Sequence, residues 1–281
     1  MVIASKVDQL RRFIAERENI YRLKEAGRPK PWTKDAILRS YRFCNVCREW
    51  DTETRWIATY WRDPNAGHED LWFAMFVARV FNWRETLDEI GLPLPFSHAF
   101  AEKLRNVIDR RMASGAKTWS NAYIVSTNGV PMVKHDYFVD VVFKPAWENR
   151  KVIRPRIDDS LSSFSDRLLG LTGVSGFMAG QIVADTKFAG HLRNAPDWWT
   201  WCLPGPGSSR GLNRLMDLPL DARWRQREFN EEILALREKL DYYVDGSLLS
   251  AQDLQNCLCE FDKYERVRFG EGRPKSRYDG G

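Results

Sequence analysis

Apolar residues recur at helical spacing along most of the chain. Between residues 5 and 26 they fall at Val7, Leu10, Phe13, Ile14, Ile20 and Leu23, which predicts an amphipathic helix. "GRPKPWT" breaks that pattern, and Thr33 is placed to cap a helix over "KDAILRSYRF". The next stretch, "RFCNVCREWDTETRWI" at 42–57, can be plotted as one helix. Phe43, Val46, Cys47, Trp50 and Ile57 then share a core face, and Asn45, Arg48, Glu49, Thr52 and Arg55 share the other. That polar face is either solvated, with Asp51 and Arg55 as an ion pair four residues apart, or the wall of a cleft that holds a polar ligand. "LWFAMFVARVFNW" is apolar all round and predicts a buried central helix. After the break "GLPLPFS", "HAFAEKLRNVIDRRMA" is amphipathic and helical. "AYIVSTNGVPMVKHDYFVDVVF" is rich in β-branched residues and holds Asn128-Gly129, which predicts a short hairpin or a loop. From about Asp159 to the end the pattern is helical, apart from a Pro/Gly loop at 203–207.

No internal repeat, low-complexity run or linker divides the sequence. The expectation is a mainly α protein with at most a small β-hairpin, built as one compact helical unit over 1–281 with room for two lobes around a cleft, and ending in a basic tail at 267–281.

Composition refines this picture. With 43% hydrophobic and 13% aromatic residues the chain can build a core, and its 12 tryptophans can serve both as core and as stacking platforms. A net charge of +5 tolerates a polyanionic partner without demonstrating one. No apolar run has the length of a membrane span, and the N-terminus turns charged too early for a signal-peptide core. Five cysteines, an odd number, argue against a disulfide framework. A cytoplasmic, reduced protein is expected.

Three motifs carry candidate chemistry. In "LLGLTGVSGFMAGQIVADTKF" at 168–188, a tight turn between two helical segments would present backbone amides to one DNA phosphate. It resembles the helix-hairpin-helix of DNA glycosylases, with Ser175 in place of a glycine and Met178 in place of a threonine; the alternative is an ordinary αα-turn. The resemblance implies DNA contacts at Gly173, Ser175, Gly176 and Lys187, and a catalytic aspartate after the hairpin. Asp185 has the expected neighbours but comes early, and Asp197 lies nearer the expected distance. In "LPGPGSSRGLNRL" at 203–215, a helix starting near Arg210 would gather Ser208, Ser209, Arg210 and Arg214 into a phosphate or pyrophosphate cradle, as against a plain connection. No GxxxxGK[ST] occurs, which disfavours a Walker-type kinase. Cys44-x-x-Cys47 places Cys47 on the apolar face and Cys257-x-Cys259 lacks zinc-ribbon spacing, so no metal site is expected. His135 beside Asp136 is a weak acid–base pair if the segment is a strand.

Taken together, "GRPKPWTKDAILRSYRFCNVCREWDTETRWI", "FAMFVARVFNW", "AYIVSTNG", "GLTGVSGFMAGQIVADTKF", "PGPGSSRGLNRL" and "DLQNCLCEFDKYERVRFGEGRPKSRY" resemble the α-glutamyl/putrescinyl thymine pyrophosphorylase family of phages, the amino acid:DNA transferases. Relatives of that family include the helical domain of 5-hydroxymethyluracil DNA kinases. The resemblance implies thymine hypermodification. An upstream DNA base kinase phosphorylates 5-hydroxymethyluracil in DNA, and this class replaces the (pyro)phosphate with a free amino acid or polyamine. On that reading Asp185, Asp197 or Glu49 assists the amine, Asn45, Arg48 and Arg55 bind substrate, and the 205–214 loop receives the leaving group. Any Mg²⁺ would ride on the substrate phosphates. Excision of a modified base by a glycosylase, and binding of modified DNA without chemistry, are the rival expectations.

Overall fold

The structure, a computed structural model, describes residues 2–272 and 274, apart from 122 and 124. It is mainly helical, with one small antiparallel sheet of two short strands among the described residues. The chain divides into two compact units, Met1–Asp51 with Trp199–Gly281, and Thr52–Trp198.

In the first unit the amphipathic helix Ala4–Glu25 buries Val7, Leu10, Phe13 and Ile14. Ala36–Ser40 follows, capped by Asp35, whose side chain accepts from the amides of Ile37 and Leu38. Thr33, the expected cap, sits two residues too early; its hydroxyl instead accepts the Asp35 amide and donates to Glu16. The helices Pro206–Met216, Gln226–Leu240 and Ala251–Arg268 complete the unit. Its hairpin pairs Tyr243 with Leu248 and Val244 with Ser247 around Asp245 and Gly246, both at positive φ. Asn128 and Gly129 adopt the same positive-φ turn, closed by the Val130 amide on the Thr127 carbonyl, but among the described residues no strand pairing flanks it.

The closest crossing in this unit is that of Pro206–Met216 on Ala251–Arg268. A Cβ at Gly211 would lie 2.2 Å from the carbonyl oxygen of Leu258, and one at Gly207 would lie 2.4 Å from Sγ of Cys259. Ser208, between them, is fully buried. Small residues four apart let two backbones meet with no side chain between them.

The second unit is built around Leu71–Phe81, in which every residue is buried. Phe73 and Phe76 meet Phe143 edge-on, and Phe73 also meets Phe96 and Trp147. His98–Ala113 is the predicted amphipathic helix, capped by Ser97. The β-branched run at 133–143 is not a strand. Lys134–Asp136, a π-helical Tyr137–Phe143 and Lys144–Glu148 run on as helical segments. Tyr137, Phe138, Val139, Val142 and Phe143 bury one face of it, so tertiary burial overrides β propensity.

We predict that Gly211→Ala destabilises the protein by about 3 kcal/mol despite the better helix propensity of alanine, because the clash is with backbone. Gly207→Ala should cost about 1 kcal/mol, since the Cys259 thiol can turn away. Urea unfolding of both variants measures the difference, and equal losses would contradict the crossing.

Candidate functional site

Two distant sequence motifs meet on one helix of the first unit. The stretch 42–57 is not a single helix: 44–47 is irregular, Arg48–Trp50 is a short 3₁₀ turn, and Asp51 is extended before Thr52–Ile57 begins. Asp51 therefore does not pair along a helix with Arg55. Its carboxylate accepts the Asn45 amide at 2.9 Å, and the Asn45 side chain donates to the Trp50 carbonyl at 3.0 Å. The loop so closed is fixed to Ala251–Arg268 by further hydrogen bonds. Glu260 accepts the Cys44 amide at 3.0 Å, Asp253 accepts the Arg48 amide at 3.1 Å, and Asn256 donates to the Asn45 carbonyl at 3.3 Å. Buried Arg17 reaches from the first helix to the carbonyls of Cys44 and Asn45.

Asn45, Arg48 and Glu49 are thus half-buried on one scaffolded loop, whereas Arg55 lies exposed in the second unit. Trp50 stacks on Tyr21 at 4.2 Å, with the Arg22 guanidinium 4.7 Å from the Trp50 ring centre. Desolvation pushes the Asp51 carboxyl up from 3.8 to about 6, against the hydrogen bond from the Asn45 amide and the attraction of Arg48. Asp51 is the carboxylate that helical plotting missed. The signal was present: Asp51 directly before Thr52-Glu53 reads as a helix start rather than a helix interior. Desolvation and the charges of Glu260 and Asp51 push the Cys44 thiol well up, which disfavours a thiolate there.

The 203–215 motif packs against the same helix. The helix begins at Pro206, not near Arg210, so Arg210 and Arg214 are not at its N-terminus. Ser208 is spent on the cap: its Oγ accepts the Gly205 amide at 2.9 Å, donates to the Gly205 carbonyl at 3.0 Å and accepts from Gln255 at 3.1 Å. Ser209 is half-buried one turn in, its amide bonded to the Gly205 carbonyl. Arg210 and Arg214 converge on Asp262 at 3.2 and 2.8 Å, and Arg266 joins them at 3.2 Å. Two guanidiniums of the expected cradle do come together, on a buried carboxylate rather than at a helix end.

In the second unit Leu161–Leu169 and Gly176–Thr186 are joined by a tight turn. Gly173 has φ +79°, and a Cβ there would lie 2.8 Å from Val142, so both conformation and space require glycine. Ser175 caps the second helix through the Met178 amide, and Gly176 is its first residue. Asp185 lies inside the unit, 1% exposed, with both oxygens held by Arg79 at 2.5 and 2.6 Å. Asp197 accepts the Leu161 and Ser162 amides at 2.7 and 3.0 Å, which places its charge at that helix's positive end. Lys187 is buried, its ammonium 3.8 Å from the Trp198 ring centre. His135 and Asp136 lie on one helix, and His135 is buried with Nε2 3.2 Å from Asp109.

Fold and site define a helical protein whose charged motifs are drawn onto the helices that build its two cores. A family model, that of the helical domain of 5-hmdU DNA kinase, matches residues 4–273, and the chain belongs to that family. A 5-hmdU DNA kinase of Bacillus phage SP10 is 32% identical over 120 residues, which cover 40% of this chain and 19% of that protein. The match therefore spans about a fifth of the curated relative. No solved structure matches the chain. Among the described residues no helix is long and apolar enough to cross a membrane.

Because folding raises the proton affinity of Asp51, the protonated carboxyl favours the folded state. That contribution is complete below its unfolded value and is lost as pH rises through about 6. We predict that stability falls by on the order of 2 kcal/mol more in the wild type than in Asp51→Asn between pH 4 and 7, as read by urea unfolding. Parallel profiles would show that Asp51 is not desolvated.

Proposed function

We propose that the protein is a transferase of thymine hypermodification, which replaces the (pyro)phosphate of 5-(pyro)phosphoryloxymethyluracil in DNA with an amine. The observation that carries this reading is the family match over 4–273, to a domain named for a kinase of the same modified base. An upstream base kinase then supplies the substrate.

In the reaction the amine nitrogen attacks the 5-methylene carbon. The C–O bond breaks, its electron pair leaves with the phosphate or pyrophosphate, and the nitrogen gives up a proton. The loop of the first unit has the groups for this. Asp51, with its raised proton affinity, and its neighbour Glu49 are the acceptors of that proton. Arg48 holds the carboxylate of an amino acid such as glycine, with Asn45 beside it. Arg210 and Arg214, which meet the same helix on its other stripe at Asp262, are the guanidiniums of this unit suited to a departing phosphate or pyrophosphate, where positive charge lowers the barrier. Any Mg²⁺ would arrive on the substrate phosphates.

The second unit supplies a DNA contact. The glycosylase-like helical hairpin, with Gly173, Ser175 and Gly176 at its turn, suits one backbone phosphate, and a base must leave the stack for chemistry at its 5-position. Asp197 caps a helix of that hairpin and holds its start, Lys187 and Trp198 brace it, and Asp185 holds Arg79.

A second reading has its own support: the matched relative is a kinase, and the likeness covers only part of it. On that reading the chain binds modified DNA without chemistry.

The test is to incubate duplex DNA carrying the phosphorylated base with the protein and a pool of amino acids and polyamines, then to digest it and read nucleoside masses. An amine-adduct nucleoside is the expected product and names the amine. Abasic sites would make the protein a glycosylase, and an unchanged digest with DNA still bound would favour the binding module. Given turnover, Arg48→Ala should raise the KM for an amino acid by roughly tenfold, the loss of one charge-assisted contact. An unchanged KM in the folded variant would remove Arg48 from the site.

A further inference from the structure

The arginine cluster on the Pro206–Met216 helix is already holding an anion, and that anion belongs to the chain. Beyond the end of Ala251–Arg268, Glu271 folds back onto Arg214 in a two-pronged contact: NH1 lies 3.2 Å from Oε1, and NH2 bonds Oε2. Arg210 NH2 lies 3.7 Å from the same Oε2. This fork-on-carboxylate geometry is the one guanidinium uses for phosphate as well.

The charges around it leave a positive excess. Among the described residues, Arg210, Arg214 and Arg266 converge on the single buried carboxylate of Asp262, which leaves two positive charges. Glu271 neutralises one of them. A phosphoryl dianion would neutralise both. Asp262 cannot be the displaced group, since it is 1% exposed, accepts from Arg210 and Arg214 and lies within ion-pair distance of Arg266, so it sets their directions. Glu271 is the exchangeable one: it is exposed and lies outside any helix. Arg214 also lines a cavity of about 350 Å³, where Lys6 is paired with Asp217 and Arg268 with Glu265, so there is open space beside the fork and Arg214 is the cation there that the cavity's own carboxylates do not pair.

We propose that Arg210, Arg214 and Arg266 form a binding site for a phosphate or pyrophosphate dianion, and that Glu271 occupies it as a built-in competitor until that anion displaces it. This rests on Arg210 and Arg214 being the anion-binding side of the reaction proposed above, and it adds the third arginine, the orienting Asp262 and the autoinhibitory contact. A device of this kind keeps the arginines paired when no substrate is present and opens the site only to a ligand of higher charge. The hydrogen bond from Arg214 also holds the Glu271 carboxyl below its usual range, so the competitor stays charged at neutral pH.

The test is direct binding of inorganic pyrophosphate by calorimetry to the full chain, with neither DNA nor amine present. The result is thus independent of whether the transferase reaction occurs. Glu271→Gln removes the competing charge from an exposed position and should tighten pyrophosphate binding by about fivefold. Arg210→Gln, which leaves Arg214 and Arg266 on Asp262, should weaken it by about tenfold. Equal affinities in the wild type and Glu271→Gln would overturn the competitor, and undiminished binding in Arg210→Gln would overturn the site. Displacement of pyrophosphate by millimolar glycine would reassign the fork to a carboxylate ligand and overturn the dianion assignment.

Discussion

The second unit depends on one buried ion pair. Arg79 sits in a helix with every residue buried, where an unpaired guanidinium would be prohibitive. Asp185, from the helix packed against it, binds two of its nitrogens, Thr54 accepts a third hydrogen bond at 3.0 Å and Asn82 a fourth at 2.9 Å. The four residues come from three helices and one left-handed C-cap, so satisfying one guanidinium fixes the register of all of them. Such a pair adds little net stability over an apolar replacement, but loss of one partner strands the other charge at a cost of about 3–5 kcal/mol. It selects one arrangement of helices more than it strengthens it. An aspartate whose position after the hairpin suggested chemistry is thereby occupied with architecture, while Asp197 stays on the polar side at a helix start.

Legibility followed the range of the interactions involved. Helices whose apolar periodicity and caps lie in the same segment were readable: His98–Ala113 begins after Ser97 as its pattern demands, and Leu71–Phe81 is as buried as its composition requires. The segment 133–143 was not readable, because β-branched residues decide nothing until Phe73 and Phe76 are there to bury them. The stretch 42–57 misled for a different reason. Its apolar residues keep near-helical spacing, yet the backbone is extended at Asp51, and the amides of Cys44, Asn45 and Arg48 are satisfied by side chains instead of by a helix. Periodicity reports which residues are buried, not which atoms satisfy the backbone.

The Gly/Ser/Arg motif at 205–214 shows how two functions share one segment. Its glycines look like the mark of a loop wrapped around an anion, but Gly207 and Gly211 are spent on backbone contact with Ala251–Arg268. Glycine in sequence announces a close approach without saying to what. The arginines of the same helix, at Arg210 and Arg214, are four apart and point to Asp262 rather than to the helix start. The close crossing is what allows this. With no side chains separating the backbones at Gly211, a carboxylate one turn further along the partner helix falls within reach of both guanidiniums.

Ala251–Arg268 therefore has to serve two neighbours at once, and its sequence divides accordingly. Asp253, Asn256, Cys257 and Glu260 form one stripe, which receives the amides and carbonyls of the 44–48 loop and the guanidinium of Arg17. Leu258, Cys259, Asp262 and Arg266 form a second stripe, which receives the glycines and arginines of Pro206–Met216. Steps of three and four residues keep each stripe in line, and the offset between them turns it to a different neighbour. Polar residues inside an otherwise apolar core are costly unless each has its partner. The charges of this helix are fixed by the two motifs they hold, and a loop with a desolvated carboxylate and a cluster of arginines with surplus charge are built on a single rigid element.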